Sequence, residues 1–202
     1  MLLRNMPEIT MKKIAISGTI GSGKTSCIQI LREMGYNVIN ADDIVKDLKI
    51  KDNVVYNDLL RLYNNKFLND NLDIDNKKLA DYMFIDSKNK KEIEDIILPR
   101  VKEVIENHLN SNSDELIFVE VPLLYEMGWE SMFDKVWVVY VDDQLALNRL
   151  KEYRNIDEIE AKKRLQQQMS LSDKNKYDNV MINNNGSLKE LRIKIKQLLD
   201  KE

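Results

Sequence analysis

The chain has 202 residues, with 31 Lys and Arg against 34 Asp and Glu and a formal charge of -3. That length gives one sizeable core with a minor subdomain or two and excludes several large independent domains. The near balance of charge gives no global case for a nucleic-acid partner, and apolar runs such as Val136 to Val141 fall far short of the ~20 residues a membrane helix needs.

Residues 1–11 are too short and too polar for a secretory signal and read as a disordered extension. Lys13 to Ser17 is a short apolar run ending at glycine, which predicts a strand. From Thr25 a helical pattern follows, with Cys27, Ile28, Leu31 and Met34 on one face and Gly35 as its terminator. Cys27 is the single cysteine, so an intramolecular disulfide and a cysteine-built zinc site are excluded, and a reducing, cytoplasmic setting fits. On the core face of a helix it reads as a small buried hydrophobe. Asn37 to Asn40 gives a second strand, and strand, helix, strand in that order predicts a crossover in a parallel sheet.

Between the second and third strands, residues 46–111 show no strand pattern, while Asn76 to Phe84 and Lys90 to Leu109 have helical periodicity. A helical insert is expected there. His108, at a polar helix end, is given no role. Leu116 to Val121 and Val136 to Val141 are near-continuous apolar runs, as strands covered on both faces require, and Asn179 to Ile182 is a weaker fifth. The polar stretch 149–177, with Arg149, Arg154 and several lysines, is read as a mobile lid. Ser187 to Glu190 is a capping box that opens a last helix, with Leu188, Leu191, Ile195 and Leu198 expected to face the core. The fold class is α/β, a P-loop kinase with a central five-stranded parallel sheet flanked by helices. Residues 12–45, 112–148 and 178–202 form the nucleotide-binding core.

Gly18-Thr19-Ile20-Gly21-Ser22-Gly23-Lys24-Thr25 lies between the first strand and its helix. A triphosphate needs several donors converging on its oxygens, and the glycines allow a turn tight enough to aim N–H groups inward at a helix N-terminus. Gly18, Gly21, Ser22, Gly23, Lys24, Thr25 and Ser26 are the expected ATP contacts. Lys24 carries the charge for the β- and γ-phosphates, and the Thr25 hydroxyl is a Mg2+ ligand.

Asp42 directly follows the second strand, where the carboxyl ends of parallel strands border the ligand crevice. A carboxylate there can accept the proton of an attacking hydroxyl. The other reading is an N-cap for the helix beginning near Asp43, for which Asp43 is the better candidate. Glu120 ends the third strand's apolar run, as a water-mediated Mg2+ contact or a surface carboxylate. Arg149 and Arg154 are either cations that close on the phosphates or solvated surface residues.

Three segments, Ile16 to Thr25, Val38-Ile39-Asn40-Ala41-Asp42 and Val121-Pro122-Leu123-Leu124-Tyr125-Glu126, together resemble the dephospho-coenzyme A kinase family. The likeness continues through Leu72 to Phe84, Ile96 to Val101, Arg149-Leu150, Arg164 to Gln168 and Asn184-Asn185-Gly186. The resemblance implies transfer of the ATP γ-phosphoryl group to the 3'-hydroxyl of dephospho-coenzyme A. It implies Asp42 as base, residues 46–111 as a coenzyme A-binding insert, Arg149 and Arg154 as phosphate-facing cations and Asn184 as an adenine contact. Where many members have Asp-Ala-Asp this chain has Asn40-Ala41-Asp42, and where they have His-Pro it has Leu98-Pro99. The lid arginine, counted without gaps from Arg149, falls on Tyr153, beside Arg154. The Asp near the start of the fifth strand falls on Asp178 or Asn179.

Overall fold

Strands β1 (Lys12–Gly18), β2 (Asn37–Asn40), β3 (Leu116–Glu120), β4 (Lys135–Tyr140) and β5 (Asn179–Asn183) make one sheet in the order β2-β3-β1-β4-β5. In this computed structural model the described residues are 11–154, 159, 169–174, 177 and 179–202, without the side chains of Tyr153 and Arg154. The expected N-terminal extension, most of the expected lid, the Arg154 side chain and Asp178 lie outside them. β1 runs parallel to β3 and β4, and β4 to β5, so that Ile16 sits opposite both Glu120 and Trp137. All five strands agree with the sequence expectation to within a residue at either end.

The near-continuous apolar runs follow from burial on both faces of the sheet. Ile14, Ile16, Phe118, Trp137 and Val139 are all inaccessible to solvent. Against them pack Cys27, Ile28, Ile30 and Leu31 of α1 (Lys24–Glu33) and Leu191 and Ile195 of the C-terminal helix, Leu188–Leu199. Burial pushes the Cys27 thiol up to about 12, assisted by the nearby Glu120 charge, so it is an inert core group. The C-terminal helix starts on the expected capping box, with Ser187 Oγ accepting from Glu190 N and Glu190 Oε2 accepting from Ser187 N. Leu188 departs from expectation and is 60% exposed. Seven positions from Ile195, it lies within about 20° of the buried stripe, and its exposure comes from standing at the very start of the helix, where the stripe ends.

Two compact units divide the chain, Met1–Ile39 with Asn112–Glu202, and Asn40–Ser111. The second is helical apart from one bridge between Leu68 and Ile74, and holds α2 (Ala41–Leu48), α3 (Val54–Tyr63), α4 (Asn76–Met83) and α5 (Ser87–Ser111). In α5 the buried residues Ile93, Ile97, Val101, Ile105 and Leu109 recur every fourth position. That spacing drifts about 40° per step, so the stripe winds round the helix. It thereby meets α2, α3 and α4 in one unit. Helix α3 was not anticipated, although Asn53 caps it and Val55, Tyr56 and Leu59 bury its face. Among the described residues no helix is long and apolar enough to cross a membrane.

In the first unit Glu202 ties the ends of two strands. Its carboxylate accepts from Lys12 Nζ and Lys135 Nζ, both at 2.7 Å. Burial raises its pKa, but the two lysine hydrogen bonds outweigh that and hold it below the ordinary carboxylate value. A depressed folded pKa contributes stability above the unfolded value, about 4.3, and that stability is lost as pH falls through the folded pKa. Urea midpoints measured between about pH 6 and pH 3 are therefore expected to fall more steeply for the natural chain than for Glu202→Gln. Parallel curves would contradict this.

Candidate active site

In an open parallel sheet, ligands bind beyond the carboxyl ends of the strands where neighbouring connections diverge. β1 lies between β3 and β4, and the glycine-rich loop leaves its carboxyl end. Gly18 is required by close approach, because a Cβ there would lie 2.1 Å from the Val139 carbonyl oxygen of β4. Gly21 faces Ala146 and Leu150 of the next helix, α6 (Asp143–Arg154). Gly23 is the N-cap of α1 with φ 87° and ψ 28°, a left-handed conformation that side chains rarely adopt.

Helices α2, α3, α4 and the C-terminal helix are capped by the side chains of Asn40, Asn53, Asp75 and Ser187, whereas α1 starts without a side-chain cap. Its first-turn N–H groups and the positive end of its dipole are thus left to an anion. Thr25 is exposed in that turn, with Ser26 half-buried beside it. Lys24 Nζ donates to the Gly18 and Thr19 carbonyls, each at 3.0 Å, which keeps its charge at the loop. Ser22 Oγ is buried and has no hydrogen-bond partner among the described residues. A buried polar atom of this kind inside a cationic loop suits a polyanion.

A second cation meets the loop from α6. Arg149 donates from NH2 to the Asn184 carbonyl at 3.0 Å, and its NH1 lies 3.6 Å from where a Cβ on Gly23 would sit. Asn184, just past β5 and 5% exposed, donates from Nδ2 to the Ser22 carbonyl at 2.8 Å. Its own N–H donates to Tyr140 at the end of β4. Gly18, Gly21, Ser22, Gly23, Lys24, Arg149 and Asn184 therefore gather at one place. Glu120, 6% exposed, ends the adjacent β3 opposite Ile16.

Asp42 belongs to the second unit, in the first turn of α2. The cap of that helix is Asn40, whose Oδ1 accepts from Asp42 N at 2.7 Å and Asp43 N at 3.3 Å. This corrects the expectation that Asp43 caps the helix. The cap must be the last extended residue before the first turn, and Asn40 holds that place with φ -118° and ψ 119°. Asp43 instead pairs with Lys46 at 2.7 Å. The Asp42 side chain is exposed and, among the described residues, no hydrogen bond or ion pair occupies its carboxylate.

The loop after β3 carries a connection that the sequence did not signal. Tyr125 donates its hydroxyl to Asn179 Oδ1 at 2.8 Å, and Asn179 Nδ2 donates to the Lys174 carbonyl at 2.5 Å. Asn179 thus holds the junction at the start of β5. Glu126 accepts from Met169 N at 2.8 Å. Lys174 Nζ is buried 5.6 Å from the Tyr125 ring centroid, where desolvation depresses its pKa against the opposing pull of Glu126. Only the polar and aromatic residue types hinted at this cluster, since its members are far apart in sequence.

Comparison with known proteins agrees with this geometry. A family model described as dephospho-CoA kinase matches residues 12–190. The dephospho-CoA kinase of Streptococcus pyogenes serotype M3 (strain ATCC BAA-595 / MGAS315) is 34% identical over 181 residues, which is 88% of this chain and 91% of that protein. Among solved structures, one from Thermus thermophilus superposes with a TM-score of 0.81 at 27% identity, covering 95% of this chain and 97% of the other. Dephospho-CoA kinase from Campylobacter jejuni superposes with a TM-score of 0.70 at 25% identity, again over 95% and 97%. With most of its length matched both in sequence and in fold, the chain belongs to the dephospho-CoA kinase family.

Proposed function

We propose that this protein transfers the γ-phosphoryl group of ATP to the 3'-hydroxyl of dephospho-coenzyme A, giving coenzyme A and ADP in the last step of coenzyme A biosynthesis, in the cytoplasm. The observation that carries the donor half is the convergence of Lys24 and Arg149, from different elements, on a glycine loop at the uncapped start of α1. Family membership carries the acceptor half.

In this reading the loop N–H groups and Lys24 bind the β- and γ-phosphates. Arg149 faces the charge that spreads over the transferring group, with Arg154 as a second cation. Asp42 accepts the proton of the 3'-hydroxyl as the new oxygen–phosphorus bond forms, and the bond from the γ-phosphorus to the ADP oxygen breaks. The exposed Thr25 hydroxyl and the Glu120 carboxylate at the end of β3 suit a Mg2+ site. Mg2+ in such sites is held largely by phosphates and water. Bound Mg2+ supplies charge neutralisation on the phosphate oxygens. Residues 46–111 take the coenzyme A moiety, and 149–177 have the lid role that the family implies.

The test is coupled ADP release with dephospho-coenzyme A, adenosine, AMP and gluconate offered side by side. Dephospho-coenzyme A is expected to be preferred by a wide margin, and preference for any of the others would sink the reading.

A further inference from the structure

We infer that Asn184 is a positioning residue for the phosphate loop, acting on the donor through the Ser22 peptide and not by touching the base. The inference rests on the reading of Gly18 to Thr25 as the ATP phosphate site. Three bonds fix Asn184 in place. Its backbone N–H donates to Tyr140 at 2.8 Å, its carbonyl accepts from Arg149 NH2 at 3.0 Å, and its side-chain Nδ2 donates to the Ser22 carbonyl at 2.8 Å. The side-chain orientation is set by chemistry, because a backbone carbonyl only accepts and the amide must present its nitrogen to it.

The contact spans 162 positions of sequence and is buried. Orienting the Ser22 carbonyl orients the Ser22–Gly23 peptide as a whole, so the Gly23 N–H is aimed by the same bond. Gly23 is glycine for this reason as well as for its positive φ. A Cβ at that position would sit 2.2 Å from Asn184 Nδ2 and drive the amide off the loop. The loop therefore carries a glycine where the clamp needs room. One residue past β5 thus holds the phosphate loop by its side chain and Arg149 by its carbonyl, and couples the two cationic arms of the donor site.

An adenine contact and a loop clamp differ in what they do to a ligand without a base. The test measures binding of Mg-ATP and of Mg-tripolyphosphate to the natural chain, to Asn184→Asp and to Asn184→Ala, with unfolding midpoints recorded for all three. Asn184→Asp keeps the shape but sets an acceptor against the Ser22 carbonyl, and Asn184→Ala leaves that buried carbonyl unpaired. The clamp predicts that both ligands weaken by about tenfold or more in both variants, with the ratio between them unchanged within about twofold. The KM for ATP is expected to rise while that for dephospho-coenzyme A stays constant, a split that a mere loss of folded protein would not produce.

Loss of ATP binding with tripolyphosphate unaffected would assign Asn184 to the base and overturn the clamp. Unchanged binding of both ligands in both variants would overturn it too. Failure of the natural chain to bind either ligand would instead strike the phosphate-site reading, and the clamp with it.

Discussion

Asp42→Asn is expected to lower kcat by about 100- to 10,000-fold, the range that a positioned general base contributes. ATP affinity should stay within about twofold of the natural chain's, because no role in donor binding falls to this residue. The exchange is nearly isosteric at an exposed position, so no cavity or buried charge is created. Nor does it remove a helix cap, since Asn40 accepts from both first-turn amides of α2. Stability should therefore change by no more than about 0.5 kcal/mol. Steady-state rates, ATP titration calorimetry and a urea midpoint on one preparation separate these effects. An unaltered rate would remove Asp42 from the mechanism, and a large loss of ATP binding would make it part of the donor site.

Lys24→Met is expected to behave differently, losing donor affinity and turnover together. Deleting a preorganised donor aimed at developing charge costs about 100- to 1,000-fold in kcat, and here the same group also holds the ground-state phosphates. The KM for ATP should therefore rise as kcat falls, while the KM for dephospho-coenzyme A moves little. Within the protein the change also removes the bonds from Nζ to the Gly18 and Thr19 carbonyls at 3.0 Å. Both acceptors lie on the loop itself, so the effect on folding is local. Lys24→Arg is not a rescue, because a planar fork cannot replace a compact ammonium held between two loop carbonyls. Kinetics that vary ATP against fixed dephospho-coenzyme A, and the reverse, decide the point. A Lys24→Met variant with unchanged KM for ATP would contradict the assigned role.

The sheet was legible in the sequence because its physics is local and repetitive. A strand buried on both faces must be apolar at nearly every position, and Leu116 to Val121 and Val136 to Val141 have that pattern. The glycine loop was legible for a related reason, in that each glycine answers a backbone requirement within eight consecutive residues. The cap of α2 was harder to read. Asn40, Asp42 and Asp43 are all good capping types, and although the strand was expected to end at Asn40, the helix starts directly after it at Ala41, so the last strand residue is itself the cap. Helix α3 was missed because only Val55, Tyr56 and Leu59 declare its buried face. Leu188 fits the helical stripe by type and by angle, yet it stands at the first helical position, where the stripe runs out and leaves it exposed.

Least legible were the tertiary ties. Nothing in the residues around Asn184 signals that its amide reaches Ser22, and nothing near Tyr125 signals Asn179. The Asn184 contact arises from strand order, which sets β5 beside β4 and one strand away from β1 and its loop. Acceptor identity also lay beyond the residues' own chemistry. It came from the likeness to dephospho-coenzyme A kinases, which the match over residues 12–190 supports.

The most direct test of the account is to incubate the protein with Mg-ATP and dephospho-coenzyme A and characterise the product by mass and phosphorus NMR. The account predicts one added phosphoryl group, a new phosphomonoester on the ribose 3'-oxygen, and one ADP per coenzyme A. Phosphate released to water without a modified acceptor, or a phosphoryl group at any other oxygen, would contradict it.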